Sequence, residues 1–120
     1  MSDEIKVQIQ VTCRNGNLRY SFAPGQKSIN QAAVGGPTPG YVTIGTTEET
    51  VTFGELGTAG WLMMQNLDPT NYVQWGPATG VYVGRMEAGE PAAFRIEPGT
   101  TLYMKANTAA CKVLVECLED

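Results

Sequence analysis

The most constraining feature of this sequence is a strict two-residue alternation that runs into an Asn-Gly pair. Ile5, Val7, Ile9 and Val11 alternate with Lys6, Gln8, Gln10 and Thr12. That is the pattern of a strand with one apolar and one polar face. Arg14-Asn15-Gly16-Asn17 follows, and Asn-Gly is the strongest short hairpin signal, because both central residues of a type I′ turn need positive φ. Leu18, Tyr20 and Phe22 then alternate with Arg19 and Ser21. The chain therefore opens as a β-hairpin, which Ala23-Pro24-Gly25 is expected to end. Gln26 to Ala33 reads as an ambiguous segment of edge character.

Gly35-Gly36-Pro37-Thr38-Pro39-Gly40 offers few side chains to pack, and its two prolines remove ladder donors. It reads as a surface loop within one domain. Strand candidates then recur to the C-terminus: 41–44, 50–53, 60–66, 72–75, 81–86, 92–96, 101–106 and 111–118. Turn text such as Asp68-Pro69-Thr70-Asn71, Gly76-Pro77, Glu87-Ala88-Gly89 and Pro98-Gly99 separates them. This spacing is that of an all-β sandwich or barrel. Fourteen glycines and seven prolines lift their share above the usual ~12%, as a turn-rich domain requires. At 120 residues the chain is read as a single β domain. Residues 1–34 form the N-terminal hairpin segment, 35–40 the loop and 41–120 the body.

Trp61-Leu62-Met63-Met64 departs from the half-buried pattern, being large and apolar at both parities. A strand covered on both faces needs a second surface. Either a loop of the same chain or a subunit interface can supply it, so these four are the candidate oligomer interface. Edge strands of a small sandwich also gain protection from oligomerisation.

Charge is sparse and uneven. Residues 1–35 carry four basic and two acidic residues, while residues 36–120 carry four basic and ten acidic. With a net charge of −4, the fold-wide basic footprint of a nucleic-acid binder is missing, and nucleic acid is not an expected partner. No apolar run reaches the ~18 residues of a membrane helix. The opening residues lack the basic and apolar regions of a signal peptide, so cytoplasmic synthesis without a membrane partner is expected.

Chemistry is hard to place on this chain. It has no His, the commonest general base, and none of Ser2, Ser21 and Ser28 sits in a nucleophile elbow. Cys13, Cys111 and Cys117 follow strand parity and read as buried free thiols, inert in such a setting. Cys111 and Cys117, six apart on one strand, lie too far from each other to bridge, whereas Cys13 with either remains geometrically open. Three cysteines without His make an incomplete zinc set. The pairs Glu48-Glu49 and Glu87/Glu90 read as solvated charges. Asn66, Asp68, Thr70 and Asn71 gather oxygens in the manner of a calcium loop, but Asp-Pro-Thr-Asn is also what a type I turn selects. Among the aromatics, only Tyr41, Tyr72 and Trp75 stand beside loops as candidates for sugar stacking. No enzyme, metal or cofactor is expected.

The second half carries more specific text. Gly60-Trp61-Leu62-Met63-Met64-Gln65-Asn66-Leu67-Asp68, Asn71-Tyr72-Val73-Gln74-Trp75-Gly76, Gly89-Glu90-Pro91-Ala92, Pro98-Gly99 and Ala106-Asn107-Thr108-Ala109-Ala110 follow in this order. Over residues 57–120 this text resembles small structural proteins of tailed bacteriophages. The resemblance implies a jelly-roll-like β-sandwich, here preceded by the N-terminal hairpin. It implies a virion structural protein that decorates or cements the capsid surface, with the major capsid protein as partner and a homotrimer as the assembly. A receptor- or glycan-binding domain of a head or tail fibre is the alternative function. The basic excess of the N-terminal portion marks Lys6, Arg14, Arg19 and Lys27 as the candidate capsid contacts, since an acidic shell would repel the rest of the chain.

Two measurements check this reading. Far-UV circular dichroism is expected to give a β spectrum, and a helical double minimum would refute the architecture. Thiol titration of denatured, unreduced protein is expected to count three free cysteines, as befits a cytoplasmic product. A single free thiol would mean that Cys13 is bridged.

Overall fold

A computed structural model describes residues 4–33, 35–53 and 56–120. The end of the expected N-terminal segment at residue 34 lies outside them, as do the first three residues read above for a leader. The chain forms two compact units, residues 1–32 and residues 33–120.

The first unit is the expected hairpin, longer than anticipated. β1 (Ile5–Asn15) pairs antiparallel with β2 (Leu18–Ile29). The two-residue loop between them is Gly16-Asn17, one position later than Asn15-Gly16, with Gly16 at φ +58°. Gly-Asn is also a hairpin signal, and glycine takes positive φ at no steric cost. The ribbon does not stop at Pro24. Ile9 pairs with Gly25 and Val11 with Phe22, so Ala23 and Pro24 stand together opposite Gln10. This bulge absorbs a residue that cannot donate to a ladder. Pairing then continues to Ile5 opposite Ile29, so of the ambiguous segment Gln26 to Ala33 the first half, Gln26 to Ile29, is strand.

The second unit is a sandwich of eight strands: β3 (Thr38–Ile44), β4 (Glu49–Val51), β5 (Ala59–Asn66), β6 (Val73–Gly76), β7 (Gly84–Met86), β8 (Pro91–Arg95), β9 (Leu102–Ala106) and β10 (Cys111–Glu119). One sheet has the order β3-β10-β5-β8 and the other β4-β9-β6-β7, with all pairs antiparallel. Counted from β3, these orders are first-eighth-third-sixth and second-seventh-fourth-fifth. That is the connectivity of a jelly roll, the fold class expected. The Gly/Pro loop is shorter than anticipated, because Thr38, Pro39 and Gly40 already pair with Cys117, Glu116 and Val115. β3 is an edge strand, where a proline is tolerated.

Between the sheets lies the core. Ile44, Leu62, Met64, Cys111, Val113, Val115 and Cys117 come from one sheet; Val51, Val73, Met86, Leu102, Met104 and Ala106 come from the other. In β10 the alternation places Cys111 and Cys117 in this layer, and burial pushes both thiols up in pKa. Cys13 differs from the expectation of three buried cysteines: it lies exposed on the hairpin. In β5, Leu62 and Met64 are buried in the core, while Trp61 and Met63 are half-buried on the outer face. There Arg95 reaches over the Trp61 ring and pairs with Asp120 at 3.0 Å. The second apolar parity of β5 is therefore covered in part by side chains of its own sheet.

Asn66 is the one fully buried polar residue among those described. Its Nδ2 donates to the carbonyls of Asn71 (2.8 Å), Met86 (3.1 Å) and Glu87 (3.2 Å), and its Oδ1 accepts from the Asp68 N–H at 3.0 Å. One side chain thus joins the end of β5, the β5–β6 turn and the end of β7. The Asp68 carboxylate accepts the N–H groups of Asn71 (2.7 Å) and Thr70 (3.0 Å), which hold its pKa below the usual range. Two glycines permit close approach nearby. A Cβ on Gly84 would meet the Trp75 indole at 2.2 Å, and one on Gly76 would meet the Val81 carbonyl oxygen at 1.8 Å.

These contacts predict specific losses. Leu62→Asp is expected to unfold the chain, because an unpaired buried carboxylate costs several kcal/mol against a total of roughly 5–15. Met63→Asp, on the outer face, is expected to remain folded. Asn66→Ala should cost about 2–3 kcal/mol in urea unfolding, since it strands buried carbonyls. For Asp68 the folded pKa lies below the unfolded one, so its contribution is present above the ordinary carboxylate range and is lost as pH falls through the folded value. Asp68→Asn should therefore flatten the stability-versus-pH curve on its acid side, below about pH 4.

Candidate interaction surface

All four basic residues singled out in the sequence lie on the hairpin. Cross-strand partners share a face. Lys6 (opposite Ser28), Gln8 (opposite Gln26), Thr12 (opposite Ser21) and Arg14 (opposite Arg19) therefore make one wholly polar, basic face. The Lys6 ammonium reaches the Ser28 hydroxyl at 3.4 Å. Lys27, opposite Val7, belongs to the other face. At the open end of the ribbon the Glu4 carboxylate accepts the Gln31 N–H at 3.0 Å, and this bond lowers its pKa.

The opposition of Arg14 and Arg19 was not read from the sequence. A loop centred on Asn15-Gly16 would have set Arg14 against Asn17, and the one-residue displacement of the turn sets it against Arg19. Like charges directly opposite on adjacent strands destabilise the pair. An anion lying across both guanidiniums would remove that penalty, and planar guanidinium forks suit carboxylates in particular.

The second face of the hairpin holds Ile9, Val11, Cys13, Leu18, Tyr20 and Phe22, through the pairs Val11–Phe22 and Cys13–Tyr20. Burial declines along it from Ile5, which is buried, through half-buried Val7 and Ile29, to exposed residues from Ile9 onward. Composition and periodicity located both strips, but they could not indicate that the apolar one is open.

The remaining candidates have structural partners. Trp61 to Met64 divide as described, so within that group Trp61 and Met63 face outward. Glu48, read as a solvated charge, instead accepts the Gly80 N–H at 2.9 Å and the Tyr82 hydroxyl, and both bonds lower its pKa. Glu90 accepts the Glu87 N–H at 2.8 Å, and Glu87 pairs with Arg85 at 3.2 Å. The Asn66 to Asn71 oxygens serve the turn, and Asn71 Oδ1 accepts the Thr108 hydroxyl at 2.6 Å. Among the described residues no group of three or more acidic, Cys or His side chains could hold a metal ion.

Tyr41, Tyr72 and Trp75 do not form one platform. Lys112 lies 5.5 Å from the Tyr41 ring, the Arg85 guanidinium lies 3.9 Å from the Tyr72 ring, and Trp75 stacks on Phe94 at 5.0 Å. Two clefts in the sandwich, about 180 Å³ beside β3 and β4 and about 170 Å³ beside Trp75 and Phe94, fall below the ~300 Å³ at which small-molecule pockets begin. The most developed recognition feature is thus the hairpin, with one basic face and one apolar face. Among the described residues no helix is long and apolar enough to cross a membrane. Compared with known protein families, with curated proteins and with solved structures, the chain matches none.

Proposed function

We propose that this chain is a non-enzymatic structural protein of a virion, a capsid decoration or cement protein of the tailed-bacteriophage kind, bound to the major capsid protein as a homotrimer. The observation that carries the reading is the basic face of the hairpin, where Arg14 lies directly across from Arg19. A self-repelling pair on an otherwise polar face suits a protein whose partner is anionic. The charge division agrees, with an excess of two positive charges in residues 1–35 and of six negative charges in the rest. The basic ribbon, rather than the acidic body, would then meet an acidic shell.

The turn text of residues 57–120 supports the same reading through its resemblance to virion proteins. The jelly roll is compatible with it, although that architecture also serves lectins and cupins. A lattice-binding protein needs a rigid body and a repeated contact more than it needs a reactive centre. Each subunit can hold the shell weakly, because a second contact made by the same oligomer is intramolecular and raises apparent affinity by about 10²–10⁴.

The reading is tested by titrating purified protein onto capsids that lack it. Binding is expected to saturate at a stoichiometry set by icosahedral symmetry and to weaken as salt is raised. Neutralising the pair with Arg14→Gln and Arg19→Gln should weaken binding and flatten that salt dependence. It should leave the melting temperature unchanged or slightly higher, since a repulsion has been removed. Saturable binding to glycans or host cells, with none to capsids, would replace this reading with the fibre-domain alternative.

A further inference from the structure

We infer that the exposed apolar face of the β1–β2 hairpin is the surface on which a second copy of this chain packs, hairpin against hairpin. The inference deepens the oligomer of the proposed function and rests on that reading for its biological sense, but its physical basis lies in the hairpin alone. Val11 is 54% exposed, Leu18 57%, Tyr20 56% and Phe22 44%, and with Ile9 and Cys13 they form one continuous strip. An isolated two-stranded hairpin is marginal in water, and a third strand or a covering layer is what gives such a ribbon independent stability. A monomer that leaves this strip wet therefore lacks the layer its longest strands require.

The chemistry of the strip favours a copy of itself. From Ile9 to the loop and back to Phe22 the face carries no charge: its residues are Ile9, Val11, Cys13, Asn15, Leu18, Tyr20 and Phe22. Two such faces can meet without burying an ion, whereas burying the opposite face would desolvate Arg14 and Arg19. Two ribbons of the same twist pack as aligned sheets about 10 Å apart. The basic faces then remain outermost, free for an anionic partner.

Area sets the strength. The exposed strip amounts to roughly 500 Å² per copy, within the range of about 300–600 Å² of the largest, often functional, apolar patch on a monomer. A face-to-face pair would remove about 1,000 Å², where specific interfaces begin and short of the ~1,600 Å² of a standard stable one. Association through this face alone is therefore expected to depend on concentration, and a third hairpin around a common axis would strengthen it.

The experiment uses the full chain, without capsids. Light scattering of the wild type is expected to report a multiple of 12.9 kDa at high micromolar concentration and to fall toward one subunit on dilution. The double variant Val11→Thr, Phe22→Thr, which keeps strand propensity across this pair, is expected to remain at one subunit at every concentration while keeping its β spectrum. A second readout needs no variant. Cys13 lies on the strip and is exposed, whereas Cys111 and Cys117 are buried, so a thiol reagent added to native protein reads Cys13. Its reaction should be slow in concentrated protein and lose that protection on dilution.

A wild type of one subunit throughout, a double variant that keeps the multimer, or a Cys13 rate independent of concentration would each overturn the inference. Should the double variant not fold, the Cys13 rate in the wild type decides. A protein that self-associates by these measures yet ignores capsids would refute only the capsid reading. A monomer that binds capsids would refute this inference together with the homotrimer, and leave the capsid reading standing.

Discussion

Every sheet in water has to cover at least one of its faces, and the two units of this chain meet that requirement differently. In residues 33–120 two four-stranded sheets cover each other, and the buried positions of β5, β9 and β10 alternate without a break. The burial of Leu62, Met104, Val113 and Val115 is the main source of stability in this unit, since burying such a side chain contributes roughly 1.5–3 kcal/mol. The hairpin is built on the same alternation with no second layer of its own. Its strands are the longest in the chain, yet most of its apolar face is exposed. The proposed self-association follows from that difference.

Inside the sandwich one polar side chain organises the connections. Asn66 ends β5 at a core position and spends its amide on three carbonyls from two other segments. Around it, Asp68 closes the turn on Thr70 and Asn71, Asn71 receives the Thr108 hydroxyl, and Asn107 Oδ1 accepts the Tyr72 N–H at 3.0 Å. The turn text Asn66-Leu67-Asp68, Asn71-Tyr72 and Asn107-Thr108 thus staples the β5–β6 turn to the β9–β10 turn. Its residues are needed for geometry. The oxygen-rich segment, whose Asp-Pro-Thr-Asn text suits a type I turn as well as a calcium loop, forms a turn in the structure.

A jelly roll by itself says little about function, because the same architecture carries unrelated sites. What sets this chain apart is a ribbon with two chemically distinct faces. The proposed division of labour assigns the apolar face to other copies of the chain and the basic face to an anionic lattice. The two assignments are physically compatible. Packing two ribbons apolar face to apolar face leaves their basic faces on opposite sides, so neither is blocked by the self-association.

How much of this was legible in the sequence depended on the range of the interaction involved. Strand positions and the inward set of β10 follow from side chains pointing alternately to opposite faces, a local rule that any stretch of chain obeys. The same rule placed Cys111 and Cys117 in a core. It could not place Cys13, which has the right parity on a face that lacks a covering layer. The hairpin itself was announced by Asn15-Gly16, yet the turn sits on Gly16-Asn17, and only that choice sets Arg14 against Arg19. Pro24 and Pro39 read as strand breakers because a ladder donor is missing. The structure accommodates the first at a bulge and the second on an edge strand, and both depend on which neighbours a strand has. Glu48 looked solvated because its partners, Gly80 and Tyr82, lie more than thirty residues away. The sequence by itself determined the all-β character and the parity of each strand, since these arise between residues adjacent in the chain. Register, sheet order and which apolar face stays open were decided only by the tertiary structure, because each arises between segments that sequence separates and folding brings together.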